Sequence, residues 1–422
     1  MAEQDFWIKD IALADEGQKM IEMARGDMPA LNSLVKEFGP SKPLTGARIA
    51  ICVIPTAATG NLVWAARELG ANVRLCSDNV VSVDDRITAA LANLGVPVFG
   101  KRDQTKEEFF TSIRLATQFK DEGGAIIPPT QIIDDGADMT LLAHRENLPW
   151  LDDVLVVSEQ TTCGVNFDNG LMREGKLRVP VVDINTGLKA AFDNRYGPRE
   201  SFIPAFKACI GEVQLGGKLA VVAGYGMVAK GVVEALQMTG CRVVITESDA
   251  VRATEALMNG IEVVRMDEVL DKADLFVTAT SSPGVMTTDQ ILRMKSGAMM
   301  CNMGENQEYD AHGLVDVPGV KKEFVNPNLA RYSKDDWHVD SLCDGWLLNM
   351  RTGGNPPRVL GITFALHLMT HLKVAKEWRP EKGKIHHLPP EAEQEVAILN
   401  FPDIREKLTP LTSAQLRYMG RE

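Results

Sequence analysis

The sequence predicts an α/β fold of two doubly wound parallel-sheet domains, one of them a Rossmann NAD-binding domain inserted into a substrate-binding domain. Three observations carry that expectation. Apolar strands alternate with amphipathic helices through most of the chain, the rhythm of a parallel sheet wrapped on both faces. The rhythm restarts near residue 215 and runs to about 326, which implies a second sheet. Within that second run, Gly224-Tyr225-Gly226-Met227-Val228-Ala229 sits between apolar strands at 218–222 and 242–246, with Glu247 directly after. Strand, glycine turn, helix, strand, acid is the dinucleotide-binding arrangement.

Each residue type in this segment has a physical task. Gly224 permits the tight turn, Gly226 lets the backbone approach a pyrophosphate, and Ala229 takes the third, packing position. A helix starting at Val228 aims unpaired N–H groups and its positive dipole end at the phosphates. Glu247 accepts from both hydroxyls of the adenosine ribose, which favours NAD over NADP.

The first half opens with helical periodicity at 12–24 and 28–38. Strands follow at 47–54, 72–76, 96–99, 125–127 and 131–135, separated by helices at 59–69, 83–94 and 105–119. A turn at Asp193-Asn194 is expected to lead into a long linking helix over 195–212. The stretch 351–357, Arg-Thr-Gly-Gly-Asn-Pro-Pro, reads as a loop or hinge. A helix at 359–378 is expected to pack back on the first domain. The division is then 1–194 for substrate binding, completed by 355–390, with 195–354 for NAD and 391–422 as a C-terminal tail.

Bulk properties narrow the function. A net charge of −12 with no basic stripe argues against a nucleic-acid partner. No apolar run approaches the ~20 residues that span a bilayer, and the acidic N-terminus has no apolar signal core, so a cytoplasmic protein with no membrane partner is expected. The seven cysteines are scattered without zinc-type spacing, which reads as buried reduced thiols and no metal site. His367 and His371 lie one helical turn apart, but with no nearby carboxylate motif helix packing is the expected role.

Several collinear runs make a resemblance specific. They include 41–50 (SKPLTGARIA), 133–140 (IDDGADMT), 158–165 (SEQTTCGV), 192–197 (FDNRYG), the glycine turn and 301–304 (CNMG). In these the chain resembles the S-adenosylhomocysteine hydrolase family along nearly its whole length. That family uses tightly held NAD as a recycled catalyst of one-carbon metabolism: oxidation of a 3′-hydroxyl acidifies the neighbouring C–H, a 5′ group leaves, water adds, and the ketone is reduced again.

The resemblance implies roles residue by residue. Lys189 and Asp193 align with the proton-transfer pair at the 3′-hydroxyl, against the alternative of a solvated pair on a surface turn. Thr161, Thr162, Cys163 and Asn194 fall on positions that hold the nicotinamide half of NAD, with Cys163 where a third Thr is common. Met303, Gly304 and Asn349 align with further cofactor contacts, and Asp135 with an active-site Asp on the 5′ side. Thr56 aligns with a substrate-contacting Thr, and Gln160 and Asn355 are expected to contact substrate beside it. The departures are concentrated elsewhere. Ile54, Glu305 and Asn355 stand where the family places histidines, Ala58 where a Glu or Gln reads adenine, and Gln160 where a Glu binds ribose hydroxyls. Met227 replaces an Asp and Arg252 an Asn in the cofactor site, and the chain stops at Arg421-Glu422 without the longer members' Lys/Tyr tail. An imidazole shuttles protons near neutral pH and Ile54 cannot, whereas Glu305 could act as an acid or base if a closed site raised its pKa.

Three functions follow: an NAD-dependent enzyme with the family's oxidise–eliminate–reduce logic on another nucleoside or thioether, S-adenosylhomocysteine hydrolysis with rearranged acid–base groups, or a non-catalytic NAD-binding regulator. In each case the expected assembly is a homo-oligomer, dimer or tetramer, and the expected ligand a small nucleoside-like molecule.

Overall fold

The computed structural model describes residues 5–305 and 307–420. The readings made on Met1–Gln4 and on the final Arg421-Glu422 lie outside the described residues. The first sheet has seven strands: β1 (Arg48–Cys52), β2 (Asn72–Cys76), β3 (Val98–Phe99), β6 (Gln131–Asp134), β7 (Val156–Glu159), β8 (Val181–Asp183) and β17 (Ile385–His387). All are parallel, in the order β17-β8-β7-β6-β1-β2-β3. The segment expected to form a strand at 125–127 instead makes a separate antiparallel pair, β4 (Phe119–Lys120) with β5 (Ile126–Ile127). Gly123 and Gly124 turn the chain too soon for it to reach the main sheet.

The parallel part of the second sheet comprises β9 (Leu219–Ala223), β10 (Arg242–Thr246), β11 (Glu262–Val263), β12 (Leu275–Thr278), β13 (Ala298–Asn302) and β16 (Trp337–Leu342). The strands β14 (Lys321–Asn326) and β15 (Leu329–Lys334) extend it antiparallel, an addition not expected from the sequence. The full order is β11-β10-β9-β12-β13-β16-β15-β14. Within 335–348, the chain supplies β16 and so belongs mainly to the sheet.

Strand order reverses between β1 and β6 in one sheet and between β9 and β12 in the other. In open α/β sheets, ligands bind outside the carboxyl ends of the strands at such switch points. Both faces of each sheet are covered by apolar clusters, one built on Ile49, Ile51 and Leu75 and another on Val222, Ile245 and Val277. The fold is therefore two wrapped sheets, as the alternation implied.

Two connections set the sheets against each other. The helix Gly187–Ile210 is continuous, so Asp193 and Asn194 are helical and the expected turn does not exist. Its first turns carry Lys189 and Asp193, while Phe202, Phe206 and Cys209 enter the core of the second sheet. The helix Pro357–Ala375 returns the chain, burying Phe364, Leu368 and Leu372 in the first core, where Ala392, Val396 and Leu399 of helix Pro390–Asn400 join it. Beyond residue 400 the segment is largely exposed. Part of the expected hinge is helical, Leu348–Thr352, and Arg351 reaches across to the carbonyl of Val81 (2.7 Å) and to Asp103 (2.8 Å), holding the sheets' ends together.

Candidate active site between the two sheets

The cofactor side is built mostly from backbone. Gly224 follows β9 with φ +96°, and a side chain there would start 3.0 Å from the carbonyl of Ala279. The helix Met227–Met238 begins one residue earlier than expected, and no side chain caps it at Gly226. An ideal Cβ on Gly226 would meet only the Arg252 guanidinium, at 4.0 Å. An uncapped helix start over open space is what a phosphate needs. Glu247 lies half-buried at the end of β10, its carboxylate accepting from the N–H of Tyr225 (2.8 Å), Ser248 (2.7 Å) and Asp249 (2.9 Å), which fixes its direction.

A groove of about 360 Å³ opens there. Thr162, Asn194, Gly224, Gly226, Met227, Val228, Glu247, Met303 and Gly304 all line it. Ala229 is fully buried behind the groove, in keeping with a packing position. Thr161, Cys163 and Asn349 lie off it. The Thr161 hydroxyl donates to Glu159 (2.6 Å), and the Cys163 thiol, pushed up chiefly by burial, faces Thr161. Asn349 donates to Asn355 (2.7 Å) and Ser201 (3.1 Å).

Sequence reasoning missed the opposite lip, the segment Ala279–Ser282. Glu308, fully buried, accepts from the N–H groups of Thr280 (2.9 Å) and Ser281 (2.5 Å) and pins that lip. Burial pushes its carboxyl up to about 7, against the hydrogen bonds that favour the charged form. No sequence motif marks it.

Where the groove meets the first sheet, Lys189 is buried. Its ammonium donates to Asn185 Oδ1 (2.9 Å) and Asn194 Oδ1 (2.5 Å) and stands 3.8 Å from Asp193 Oδ2. The buried Asp193 accepts from Asn355 Nδ2 (2.9 Å) and Thr363 Oγ1 (2.6 Å). The surface-pair alternative is thereby excluded. Asn355, expected to touch substrate, spends its amide on Asp193, Asn349 and Ser201.

The substrate side lies at the carboxyl ends of β7, β6, β1 and β2. Asp135 accepts from Gln160 Nε2 (2.5 Å) at one oxygen, and its other oxygen is buried without a partner. Gln160 in turn accepts from His367 Nε2 (2.9 Å). Burial holds His367 well below the usual imidazole range, so the neutral ring accepts from the Ser158 hydroxyl at Nδ1 (2.7 Å). His371 follows at 3.1 Å from Ser158, with its other nitrogen 2.6 Å from the Gln131 side chain. The two histidines thus bracket Ser158 in a buried polar chain ending at Asp135, and among the described residues no cluster fit for a metal ion forms. Thr56 caps the helix Ala57–Glu68, its methyl 3.8 Å from where a side chain on Gly354 would start. Ile54 and Ala58 are buried. Glu305, following β13, reaches solvent at the mouth of the cleft, where the crowding around it pushes its carboxyl up and Lys189 opposes the shift.

The sequence profile described as "S-adenosyl-L-homocysteine hydrolase" matches residues 5–154, and that described as "S-adenosyl-L-homocysteine hydrolase, NAD binding domain" matches residues 194–354. Solved structures similar to the chain include a dipicolinate synthase chain from Bacillus halodurans, 13% identical, covering 79% of this chain and 99% of that one at a TM-score of 0.44. NAD+-bound 3-phosphoglycerate dehydrogenase from Entamoeba histolytica is 17% identical, covering 64% and 76%, with a TM-score of 0.38. The glycine turn, the uncapped helix and Glu247 fit a dinucleotide, and the cofactor is NAD. The chain belongs to the S-adenosyl-L-homocysteine hydrolase family.

Proposed function

We propose that the chain is an NAD-dependent enzyme that transiently oxidises a hydroxyl of a nucleoside or thioether other than S-adenosylhomocysteine, eliminates or adds a group at the neighbouring position, and reduces the product again. The observation that carries this reading is Lys189. Its ammonium is held by Asn185 and Asn194, which both line the cofactor groove. A scaffold has no need of a buried, fully oriented proton-transfer group at that point.

NAD, when bound, supplies the hydride acceptor and later returns the hydride. Lys189 in its neutral amine form would take the proton of the hydroxyl being oxidised, becoming the ammonium whose charge Asp193 balances, and would deliver that proton on reduction. A carbonyl at that carbon acidifies the adjacent C–H, so a group one carbon further on can leave. Asp135 faces this side with a free oxygen. Burial and the neighbouring Glu305 push its carboxyl well above the usual range, the direction that an acid serving a leaving group needs. The Gln160–His367–Ser158 chain fixes the direction of that free oxygen.

Three side chains favour a different substrate. Ile54 is buried and carries no titratable proton, Ala58 offers adenine only a methyl, and the Gln160 amide is committed to Asp135 and His367. Exposed apolar residues such as Phe324 and Val325 on β14 support self-association as the working assembly. The test is to follow the absorbance of reduced nicotinamide in NAD-loaded protein on adding S-adenosylhomocysteine, adenosine, other nucleosides and thioethers. Reduction by a compound other than S-adenosylhomocysteine is expected. Efficient turnover of S-adenosylhomocysteine would overturn the substrate claim, and bound NAD that no hydroxyl compound reduces would favour a regulator.

A further inference from the structure

Among the described residues, four acidic side chains gather on the substrate side of the cleft with no ion pair to any of them. Asp135 follows β6, Asp138 opens the next helix, Asp78 follows β2, and Glu305 follows β13 of the second sheet. The Asp138 carboxylate bends back over the turn, 3.5 Å from where a side chain on Gly136 would start. The four are close enough that each of Asp78, Asp135 and Asp138 is pushed up by burial first and by at least one other member after it.

Two observations separate this group from a structural acid network. Asp135 is 6% exposed, and its Oδ1 is buried with no hydrogen-bond partner; Asp78 Oδ1 is likewise buried and unpartnered. Among the described residues, no ion pair reaches any of the four carboxylates. The nearest cation, Lys189, is already bound by Asn185 and Asn194 and paired with Asp193. Buried carboxylates ordinarily acquire hydrogen bonds or a countercharge, because leaving them unpaired is costly.

Resting on the reading of the cleft as a substrate site, we propose that this pocket recognises an organic cation, a primary ammonium or guanidinium group, on the part of the substrate that leaves or enters beside the oxidised carbon. A bare metal ion is disfavoured because no three acidic, histidine or cysteine side chains among the described residues are arranged to hold one. Several N–H donors on one cation would satisfy the free oxygens of Asp78 and Asp135 together and relieve the repulsion between like charges. The position also accounts for Glu305: an imidazolium there would repel such a substrate, and a carboxylate attracts it. No bond is made or broken in recognition; protons held by the carboxyls are released to solvent as the cation binds.

Matched pairs of 5′-amino-5′-deoxy and 5′-hydroxy nucleosides of adenine, guanine and uracil test this on the NAD-loaded protein, with affinity read by calorimetry and reduction by nicotinamide absorbance. In at least one pair the amine should bind about tenfold or more tightly than the hydroxyl compound, with proton release that depends on buffer. In Asp78→Asn that preference should fall to about twofold or less. Glu305→Gln, at the exposed mouth, gives the same reading if Asp78→Asn fails to fold. No preference for the amine in any pair, including no binding at all, or a preference unmoved by both variants, overturns the inference. The two readings fail separately: reduction by neutral nucleosides with no charge preference leaves the oxidation chemistry standing, whereas amine-selective binding with no reduction by any compound leaves the cation pocket standing and removes the chemistry.

Discussion

The two walls of the cleft are made in different ways. The cofactor wall is backbone: a glycine turn, an uncapped helix end, and carboxylates of Glu247 and Glu308 that amide N–H groups orient. The substrate wall is side chains: Asp135 and Asp78 each have an oxygen left free, next to Asp138 and Glu305. Backbone geometry tolerates few substitutions and keeps one ligand, whereas a pocket of side chains can change its ligand by a few exchanges. On the proposed reading, the contrast lets one wall keep NAD while the other changes its ligand. Lys189 stands between the two walls, held by Asn185 and Asn194 of the cofactor groove.

The largest effect is expected from Lys189. Lys189→Ala should lower reduction of bound NAD by any substrate by about 10³-fold, within the range for a general acid–base residue, while NAD stays bound; unchanged reduction would detach Lys189 from the chemistry. Gly226→Val should do the reverse. Its side chain would project into open groove rather than into core, so NAD affinity should drop by roughly 10- to 100-fold, the cost of overpacking a fitted site, with little change in melting temperature. A fall in both would mean that the turn is structural rather than a phosphate seat.

Glu308 sharpens the contrast through pH. Its folded-state pKa of about 7 lies above the usual 4.5, so the folded protein keeps a proton that the unfolded chain gives up. The resulting stability is largest at low pH and is lost as pH rises from about 4.5 toward 7, by about 2–3 kcal/mol. Denaturant unfolding across that window should show a flatter profile in Glu308→Gln than in the native chain. The smallest effect is assigned to Gly224→Ala, where a φ of +96° and the approach to Ala279 should cost about 1–3 kcal/mol of stability. NAD binding should otherwise survive in the fraction that folds, which a cofactor titration checks.

Legibility in the sequence followed the same divide. The glycine turn, Glu247 and the strand alternation were readable because local backbone needs impose residue types at fixed spacing. Of the residues lining the groove, Thr162, Asn194, Met303 and Gly304 were legible through the family resemblance, whereas the Ala279–Ser282 lip carries no motif. Helix continuity at Asp193-Asn194 was not readable, since a turn-prone pair is overridden when packing and the Asn185–Lys189–Asn194 contacts hold it in a helix. Glu308, Asp78 and the Ser158–His367 chain were invisible for another reason: each acquires its role only from partners brought near by the fold, 27 or 28 positions away for Glu308 and 209 for the Ser158–His367 pair. The partners of Asn355 were not readable either, because position alone does not say whether an amide faces ligand or Asp193.

The central claim is that NAD here is a recycled oxidant serving a hydroxyl beside Lys189. It is tested most directly by incubating NAD-loaded protein with a panel of nucleosides deuterated at the 3′ carbon and weighing the released cofactor by mass spectrometry. Deuterium on the nicotinamide ring, supplied by a compound other than S-adenosylhomocysteine and absent in Lys189→Ala, is the expected result. Cofactor that stays unlabelled with every member of the panel would contradict it.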